Sequence, residues 1–198
     1  MTYTPNLSKI TKEEIVTLPV ESFPGHIVGV DRPEEVGQAV RILSASRCVG
    51  FDTETRPSFK KNQHHKVALM QLSTENVCYL FRLNHLGGIP EPLIAFLKDE
   101  RITKIGLSLP DDFHMMRERV KDLRPAGFID LQKIMPSYGI EEASLQKIYA
   151  ILFGKKISKR TRLTNWDADI LTDAQQNYAA LDAWACLRIY QLLKSEES

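Results

Sequence analysis

Apolar and polar residues along the chain fall into blocks that predict strands and helices in turn. Strands are expected at 26–31, 48–54, 66–73, 77–82, 103–108 and 127–130. Helices are expected after Thr11 and at 33–45, 91–98, 109–121, about 130–137, 143–153 and 172–194. Strands that alternate with helices predict an α/β sheet covered by helices. A tight turn at 74–76 joins two successive strands, so the predicted sheet is mixed.

The composition limits the partners and the surroundings of the protein. The length of 198 residues fits one domain. The formal net charge of +1 creates no overall field that would attract polyanions. No apolar run approaches about 18 residues, so we expect no membrane span. The three cysteines are an odd number in apolar segments, which favours reduced thiols in a cytoplasmic protein.

Two acidic residues stand at the end of an otherwise apolar strand. Asp52 and Glu54 follow the apolar residues 48–51, and both point to one face because side chains alternate along a strand. Acidic residues are depleted in strands, and two like charges side by side repel each other. A cation between the two carboxylates would remove this repulsion.

A further pair of acids occurs where a strand gives way to a helix. Ser108 and Asp111 have the spacing of a capping box, with Ser108 as the N-cap. Phe113 and Met116 begin the apolar stripe of the helix, so Asp111 points away from the stripe and Asp112 lies near its edge. Asp112 can therefore face the interior of the fold. The alternative is that both acids only interact favourably with the helix dipole.

The last predicted helix carries an acid on a largely apolar face. Tyr178 and Asp182 are four residues apart, so they stack on one side of the helix. The same face continues through Leu181, Ala185 and Ile189, and an acid buried there needs a partner. An arginine or the end of a neighbouring helix could be that partner, and so could a metal ion.

The four carboxylates considered together indicate bound metal ions. Sites in α/β sheets form at the carboxyl ends of strands, where Asp52, Glu54 and Asp112 are expected, and the last helix could bring Asp182 across them. Converging carboxylates repel unless cations lie among them. Oxygen ligands favour Mg²⁺ or Mn²⁺, and two such ions about 4 Å apart stabilise both oxygens of a phosphoryl displacement.

The order and spacing of these residues closely resemble the DEDDy branch of the DEDD 3'-5' exonucleases, which includes RNase D and Werner-type exonucleases. The resemblance rests on DTE at 52–54, on the acid after KIGLSL, and on Tyr-x-x-x-Asp at 178–182. It implies a ribonuclease H-like mixed β-sheet flanked by α-helices, the 3'-5' exonuclease fold. Residues 26–198 would form this exonuclease domain, and residues 1–25 would be an N-terminal extension that packs on it.

The resemblance also implies a role for each residue of the motifs. Asp52 would bridge two Mg²⁺ or Mn²⁺ ions, Glu54 and Asp182 would complete one metal site, and Asp112 would hold the second ion, largely through water. Tyr178 would hydrogen-bond the attacking water. The reaction would release 5'-mononucleotides from the 3' end of DNA or RNA.

Two local clusters of basic residues could hold the phosphates of such a substrate. One is the loop at 59–66, with Lys60 and Lys61, and the other is the stretch at 155–162 before the last helix. The candidates in the second cluster are Lys155, Lys156, Lys159, Arg160 and Arg162. Either cluster could instead be a solvated loop.

Three functions are compatible with these patterns. The first is an active metal-dependent 3'-5' exonuclease that acts on single-stranded or 3'-end nucleic acid. The second is a catalytically weak nuclease-fold module that binds nucleic acid, although loss of activity usually removes carboxylates and all four are present here. The third is a metal-dependent hydrolase of small nucleotides, which the basic stretches disfavour.

Overall fold

Six strands form one mixed sheet at the centre of the fold. The computed structural model of the protein describes residues 7–60 and 63–195. Its strands are β1 (His26–Val30), β2 (Cys48–Thr55), β3 (Val67–Ser73), β4 (Val77–Arg82), β5 (Thr103–Gly106) and β6 (Phe128–Asp130). They lie in the order β1-β4-β3-β2-β5-β6. The β2-β3 and β3-β4 pairs are antiparallel and the other pairs are parallel, so the prediction of a mixed α/β sheet is confirmed.

Helices cover both faces of this sheet. They are α1 (Lys12–Thr17), α2 (Pro33–Leu43), α3 (Glu91–Lys98), α4 (Leu109–Arg117), α5 (Leu131–Ile134), a 3-10 turn (Met135–Tyr138), α6 (Leu145–Phe153) and α7 (Asp173–Ser195). The inner faces of α2, α3 and α4 build one apolar layer against the sheet, and those of α6 and α7 build the other. Each predicted element is present, but the helix predicted to reach residue 121 already ends at Arg117.

Helix α7 lies so close to the sheet that the strand beneath it requires a glycine. A Cβ atom at Gly50 in β2 would lie 1.8 Å from the carbonyl oxygen of Ala183 in α7, so no larger residue fits at this position. This close approach holds Tyr178 and Asp182 over the carboxyl end of β2.

The first described residues pack against the rest of the fold. Thr11 and Glu14 form a capping box at the start of α1, as the sequence predicts. Ile15 of this helix is buried and packs with Ala150 of α6. Apolar contact therefore holds α1 on the outside of the helical layer.

Residues 19–23, here called the N-terminal strap, bind the loop between α6 and α7. The Lys156 N–H donates to the carbonyl of Pro19, and the Glu21 N–H donates to the carbonyl of Lys156, each at 2.9 Å. The carboxylate of Glu21 also accepts a hydrogen bond of 2.9 Å from the Tyr149 hydroxyl in α6. The strap is thus tied both to a helix and to the loop that follows it.

The three cysteines lie on β2, β4 and α7. Cys48, Cys78 and Cys186 are free thiols. None of the helices in the described part of the chain combines the length and the apolar content that crossing a bilayer requires.

Candidate active site

Three carboxylates meet where the carboxyl end of β2 passes beneath α7. One oxygen from each of Asp52, Glu54 and Asp182 lies within 4.8 Å of the other two. Glu54 and Asp182 are buried, and Asp52 is half-buried. Strand alternation puts the first two on one face, and the close approach of α7 adds the third.

The carboxyl groups of this cluster have raised pKa values, and burial is the main cause. Burial and the charge of Asp182 raise the pKa of Glu54 from 4.5 to about 9. Burial raises the pKa of Asp182 from 3.8 to about 7, although the hydroxyl of Tyr178 opposes the rise. Burial and repulsion from Asp112, Asp182 and Glu54 raise the pKa of Asp52 well above its ordinary value. A positive charge among these oxygens would reverse the effect.

The donor set of this cluster suits a hard divalent cation. All of its ligand atoms are carboxylate oxygens, which is the ligand type that Mg²⁺ and Mn²⁺ prefer. Oδ1 of Asp182 is buried and has no hydrogen-bond partner among the described residues, so it is available to coordinate an ion. A cleft of about 350 Å³ opens onto the carboxylates and could admit a substrate.

Asp112 lies beside the three carboxylates rather than within their cluster. Its carboxylate accepts a hydrogen bond from the Thr53 hydroxyl. Burial raises the pKa of Asp112 from 3.8 to about 6, and the bond from Thr53 opposes the rise. Asp111 is exposed, whereas Asp112 is half-buried. The prediction that helix geometry turns Asp112 and not Asp111 inward is therefore confirmed.

The capping box predicted for this helix is wrong. Ser108 precedes α4 in the left-handed conformation, with φ of 62°, and its side chain makes no capping hydrogen bond. The carboxylate of Asp130, at the end of β6, instead accepts from the N–H groups of Ser108 at 2.9 Å and Leu109 at 3.2 Å. An acid from another strand therefore satisfies the start of α4, the helix that carries Asp112.

Tyr178 stands one turn before Asp182 on α7, and its hydroxyl acts to lower the pKa of the Asp182 carboxyl group. Its ring lies beside that of Trp166, with centroids 6.1 Å apart. Burial and the charges of Asp182 and Glu54 raise the pKa of the hydroxyl. The group is therefore neutral and able to donate a hydrogen bond at the edge of the cleft, which it helps to line.

Two of the predicted basic residues face the carboxylates. Lys159 and Arg162 are exposed, and both line the cleft together with Asp52, Glu54 and Asp182. Their charges act to lower the pKa of Asp182. They are therefore placed to contact an anionic group that enters the cleft.

Two other predicted basic residues contact the N-terminal segment instead. The Lys155 ammonium lies 3.0 Å from the Glu21 carboxylate of the N-terminal strap, and the Lys156 ammonium donates to the carbonyl of Val16. Each of these ammonium groups therefore has a partner within the protein.

The remaining basic candidates lie apart from the carboxylates or outside the described residues. Lys60 and Arg160 are exposed, and neither lines the cleft. Lys61 lies outside the described residues.

Two residues that support the site are not among those the motifs single out. Thr53 lies between the two acids of β2, and strand alternation turns it toward the opposite face, where α4 packs. Asp130 is an acid at the carboxyl end of a strand, so the criterion that identifies Asp52 would have identified it too. Its carboxylate caps the start of α4 and also the start of α5, because it accepts from the N–H of Gln132 at 3.0 Å as well.

Known proteins resemble the chain in sequence. A family model described as 3'-5' exonuclease matches residues 27–197. The chain is 32% identical over 186 residues to the bifunctional 3'-5' exonuclease/ATP-dependent helicase WRN of Mus musculus. It is 31% identical over 194 residues to a 3'-5' exonuclease of Arabidopsis thaliana. Each match covers 89% of this chain, but only 13% of the mouse protein and 66% of the plant protein.

Solved structures resemble the chain in fold. The Nibbler EXO domain of Aedes aegypti has a TM-score of 0.80 at 21% identity, and the match covers 89% of this chain and 92% of that one. Escherichia coli RNase D has a TM-score of 0.74 at 22% identity, with 87% and 44% covered. Trypanosoma brucei RNase D, in complex with RNA U12, has a TM-score of 0.74 at 21% identity, with 86% and 63% covered. The predicted 3'-5' exonuclease fold is confirmed.

Proposed function

The chain belongs to the 3'-5' exonuclease family of hydrolytic nucleases, within the DEDD superfamily, and from this membership we propose that it removes 5'-mononucleotides from the 3' end of a nucleic-acid strand. The observation that carries the proposal is the cluster of three carboxylate oxygens within 4.8 Å of one another. The cluster opens onto a cleft that Lys159 and Arg162 also line. We further propose residues 26–198 as the catalytic domain and residues 1–25 as an extension packed on it; of these ranges, residues 1–6, 61–62 and 196–198 lie outside the described residues.

We propose that the carboxylates hold two divalent ions, Mg²⁺ or Mn²⁺. Asp52 would bridge both ions, and Glu54 and Asp182 would complete the tighter site. Asp112 would hold the second ion largely through water, which agrees with its position beside the cluster. Two bound ions would supply the charge that stabilises the attacking and leaving oxygens of an in-line displacement.

The other side chains of the site would orient the reactants. The neutral hydroxyl of Tyr178 would hydrogen-bond the attacking water, and the neighbouring ring of Trp166 would help to hold the tyrosine ring in place. Lys159 and Arg162 would contact phosphate groups of the strand that enters the cleft. We propose single-stranded DNA or RNA with a free 3'-hydroxyl as the substrate.

Cleavage of 5'-labelled single-stranded DNA and RNA in the presence of Mg²⁺, Mn²⁺ or EDTA tests this proposal. We expect a ladder that shortens from the 3' end with either ion and disappears in EDTA. Asp52→Ala should abolish the ladder, whereas Asp111→Ala, which changes an exposed acid near the site, should keep it.

Other results would contradict the proposal. A folded protein that binds both oligomers without cutting them would be a nucleic-acid-binding module. Hydrolysis of a mononucleotide ester that the oligomers fail to inhibit would indicate a hydrolase of small nucleotides. A ladder that persists in Asp52→Ala would contradict the assignment of the carboxylates.

A further inference from the structure

A buried glutamine whose side chain has no hydrogen-bond partner in the described part of the chain lies next to the carboxylate cluster. Gln71 in β3 is paired with Asp52 across the antiparallel ladder. It is 0% exposed, and neither its amide nitrogen nor its amide oxygen has a partner among the described residues. Buried amides nearly always have partners, and an unpaired one is unfavourable. The position therefore requires a reason to keep a polar side chain.

The strand pairing places Gln71 on the same face of the sheet as Asp52. Directly opposite residues of an antiparallel pair project to one face, with Cβ atoms about 4.5–5.5 Å apart. Leu80, which pairs with Gln71 from the other side, belongs to the apolar layer beneath α7. Leu69, two residues earlier in β3, belongs to the same layer. The amide thus has apolar neighbours on two sides and the Asp52 carboxylate on a third.

We propose that Gln71 is a positioning residue for Asp52, whose carboxylate accepts a hydrogen bond from the Gln71 amide when metal ions are bound. The inference rests on the proposed function, because it assigns Asp52 to the metal site. A carboxylate oxygen has two lone pairs, so one oxygen can coordinate an ion and also accept an amide hydrogen. Partners of this kind orient the ligand, and their loss typically costs about 10- to 100-fold in metal affinity or activity.

A neutral donor suits this position better than a charged one. A lysine or arginine opposite Asp52 would balance the charge of the carboxylate and would compete with a divalent ion for it. The amide of Gln71 fixes the orientation of the carboxylate and leaves its charge for the ion. The residue acts through Asp52 and has no contact with the cleft.

Binding of Mn²⁺ to the protein without substrate, followed by the electron paramagnetic resonance signal of the free ion, tests the inference. Gln71→Met keeps an unbranched side chain of similar length and removes the amide. We expect the dissociation constant for Mn²⁺ to rise about 10- to 100-fold. Leu80→Met is the matched control, because it changes the same apolar layer without changing a polar group, and it should bind Mn²⁺ as the wild type does.

Thermal unfolding and kinetics separate this role from simple packing. Without metal, Gln71→Met should unfold at the same temperature as the wild type or higher, because an apolar group replaces an unpaired amide. The rise in unfolding temperature on addition of Mn²⁺ should shrink. On an oligonucleotide kcat should fall with KM unchanged, and higher Mn²⁺ concentrations should restore part of the loss.

Three results would overturn the inference, and each is distinct. If Gln71→Met and Gln71→Leu both bind Mn²⁺ as tightly as the wild type, the positioning role is wrong and the proposed function stands. If both variants unfold at lower temperature without metal, the amide has a partner inside the protein and the premise is wrong. If the wild type itself binds no Mn²⁺, the metal site of the proposed function fails, and the inference fails with it.

Discussion

Replacement of Asp182 by asparagine should stabilise the metal-free protein while it abolishes cleavage. Asp182 is buried, its Oδ1 has no hydrogen-bond partner among the described residues, and burial raises its pKa to about 7. At pH 8 without metal, the folded protein must hold this carboxylate ionised beside Glu54 and Asp52. Asparagine has nearly the same shape and carries no charge, so the cost of burying the charge disappears.

The size of the effect follows from the shift in pKa. A rise from 3.8 to about 7 corresponds to about 4 kcal/mol, at about 1.36 kcal/mol per pH unit. A proton retained by Glu54 relieves part of the repulsion, and the variant loses the favourable effect of the Tyr178 hydroxyl on the ionised Asp182 carboxylate. We therefore expect the free energy of unfolding to increase by about 2 kcal/mol at pH 8.

The dependence on pH has a definite sign. Because the folded pKa of Asp182 is raised, the stability that its protonation provides is complete below pH 3.8 and is lost as the pH rises through about 7. The wild type therefore becomes more stable, relative to the variant, as the pH falls. The advantage of Asp182→Asn should drop below about 1 kcal/mol at pH 5.

Urea unfolding in EDTA at pH 8 and pH 5 measures both quantities. The buried Trp166 and Trp184 provide the fluorescence signal. Asp111→Asn, at an exposed acid, should change the free energy of unfolding by no more than about 0.5 kcal/mol. Mn²⁺ should stabilise the wild type more than Asp182→Asn. The reasoning would be refuted if Asp182→Asn is no more stable than the wild type at pH 8. It would also be refuted if the variant is stabilised over the wild type as strongly at pH 5 as at pH 8.

Three further substitutions separate the roles proposed for the site. In a steady-state assay on one oligonucleotide, Asp112→Asn should lower kcat about 100-fold, whereas Asp111→Asn should leave kcat nearly unchanged. If Asp111→Asn lowers kcat more than Asp112→Asn does, the assignment of Asp112 to the inner face of the helix is wrong. Tyr178→Phe should lower kcat about 10- to 100-fold at constant KM, and an equal rate would remove its role in orienting water. Lys159→Ala should weaken oligonucleotide binding and reduce the slope of log K against log salt by about one. Lys155→Ala should leave that slope unchanged, and equal slopes for the two variants would argue against the distinction between them.

The regular elements of the fold could be predicted because they depend on neighbouring residues. The largely apolar segments at 66–73 and 77–82, with a turn between them, predict a hairpin that the structure contains as β3 and β4. The direction of Asp112 depends only on its angle from Met116 around the helix. The requirement for glycine at position 50 could not be predicted in this way, because it comes from the close approach of Ala183 in α7, which is distant in the sequence.

The features that sequence reasoning missed depend on contacts between distant residues. Ser108 looked like a helix cap, but the acceptor for its N–H group is Asp130, 22 residues later. The ammonium of Lys155, predicted to contact phosphate, is bonded to Glu21, 134 residues earlier. Spacing along the chain reports local bonds and does not reveal tertiary partners of this kind.

The N-terminal strap has a practical consequence for the design of fusion proteins that contain this exonuclease-family domain. The family match begins at residue 27, so a boundary chosen from it would discard the strap. Glu21 would then be missing as the partner of Tyr149 and Lys155, and Trp184 would lose its edge-on contact with Phe23. Lys159 and Arg162, the two predicted basic residues that line the cleft, follow shortly after Lys156, which the strap binds. A linker should therefore be attached before residue 7, so that the fused domain keeps the N-terminal strap that supports the cleft.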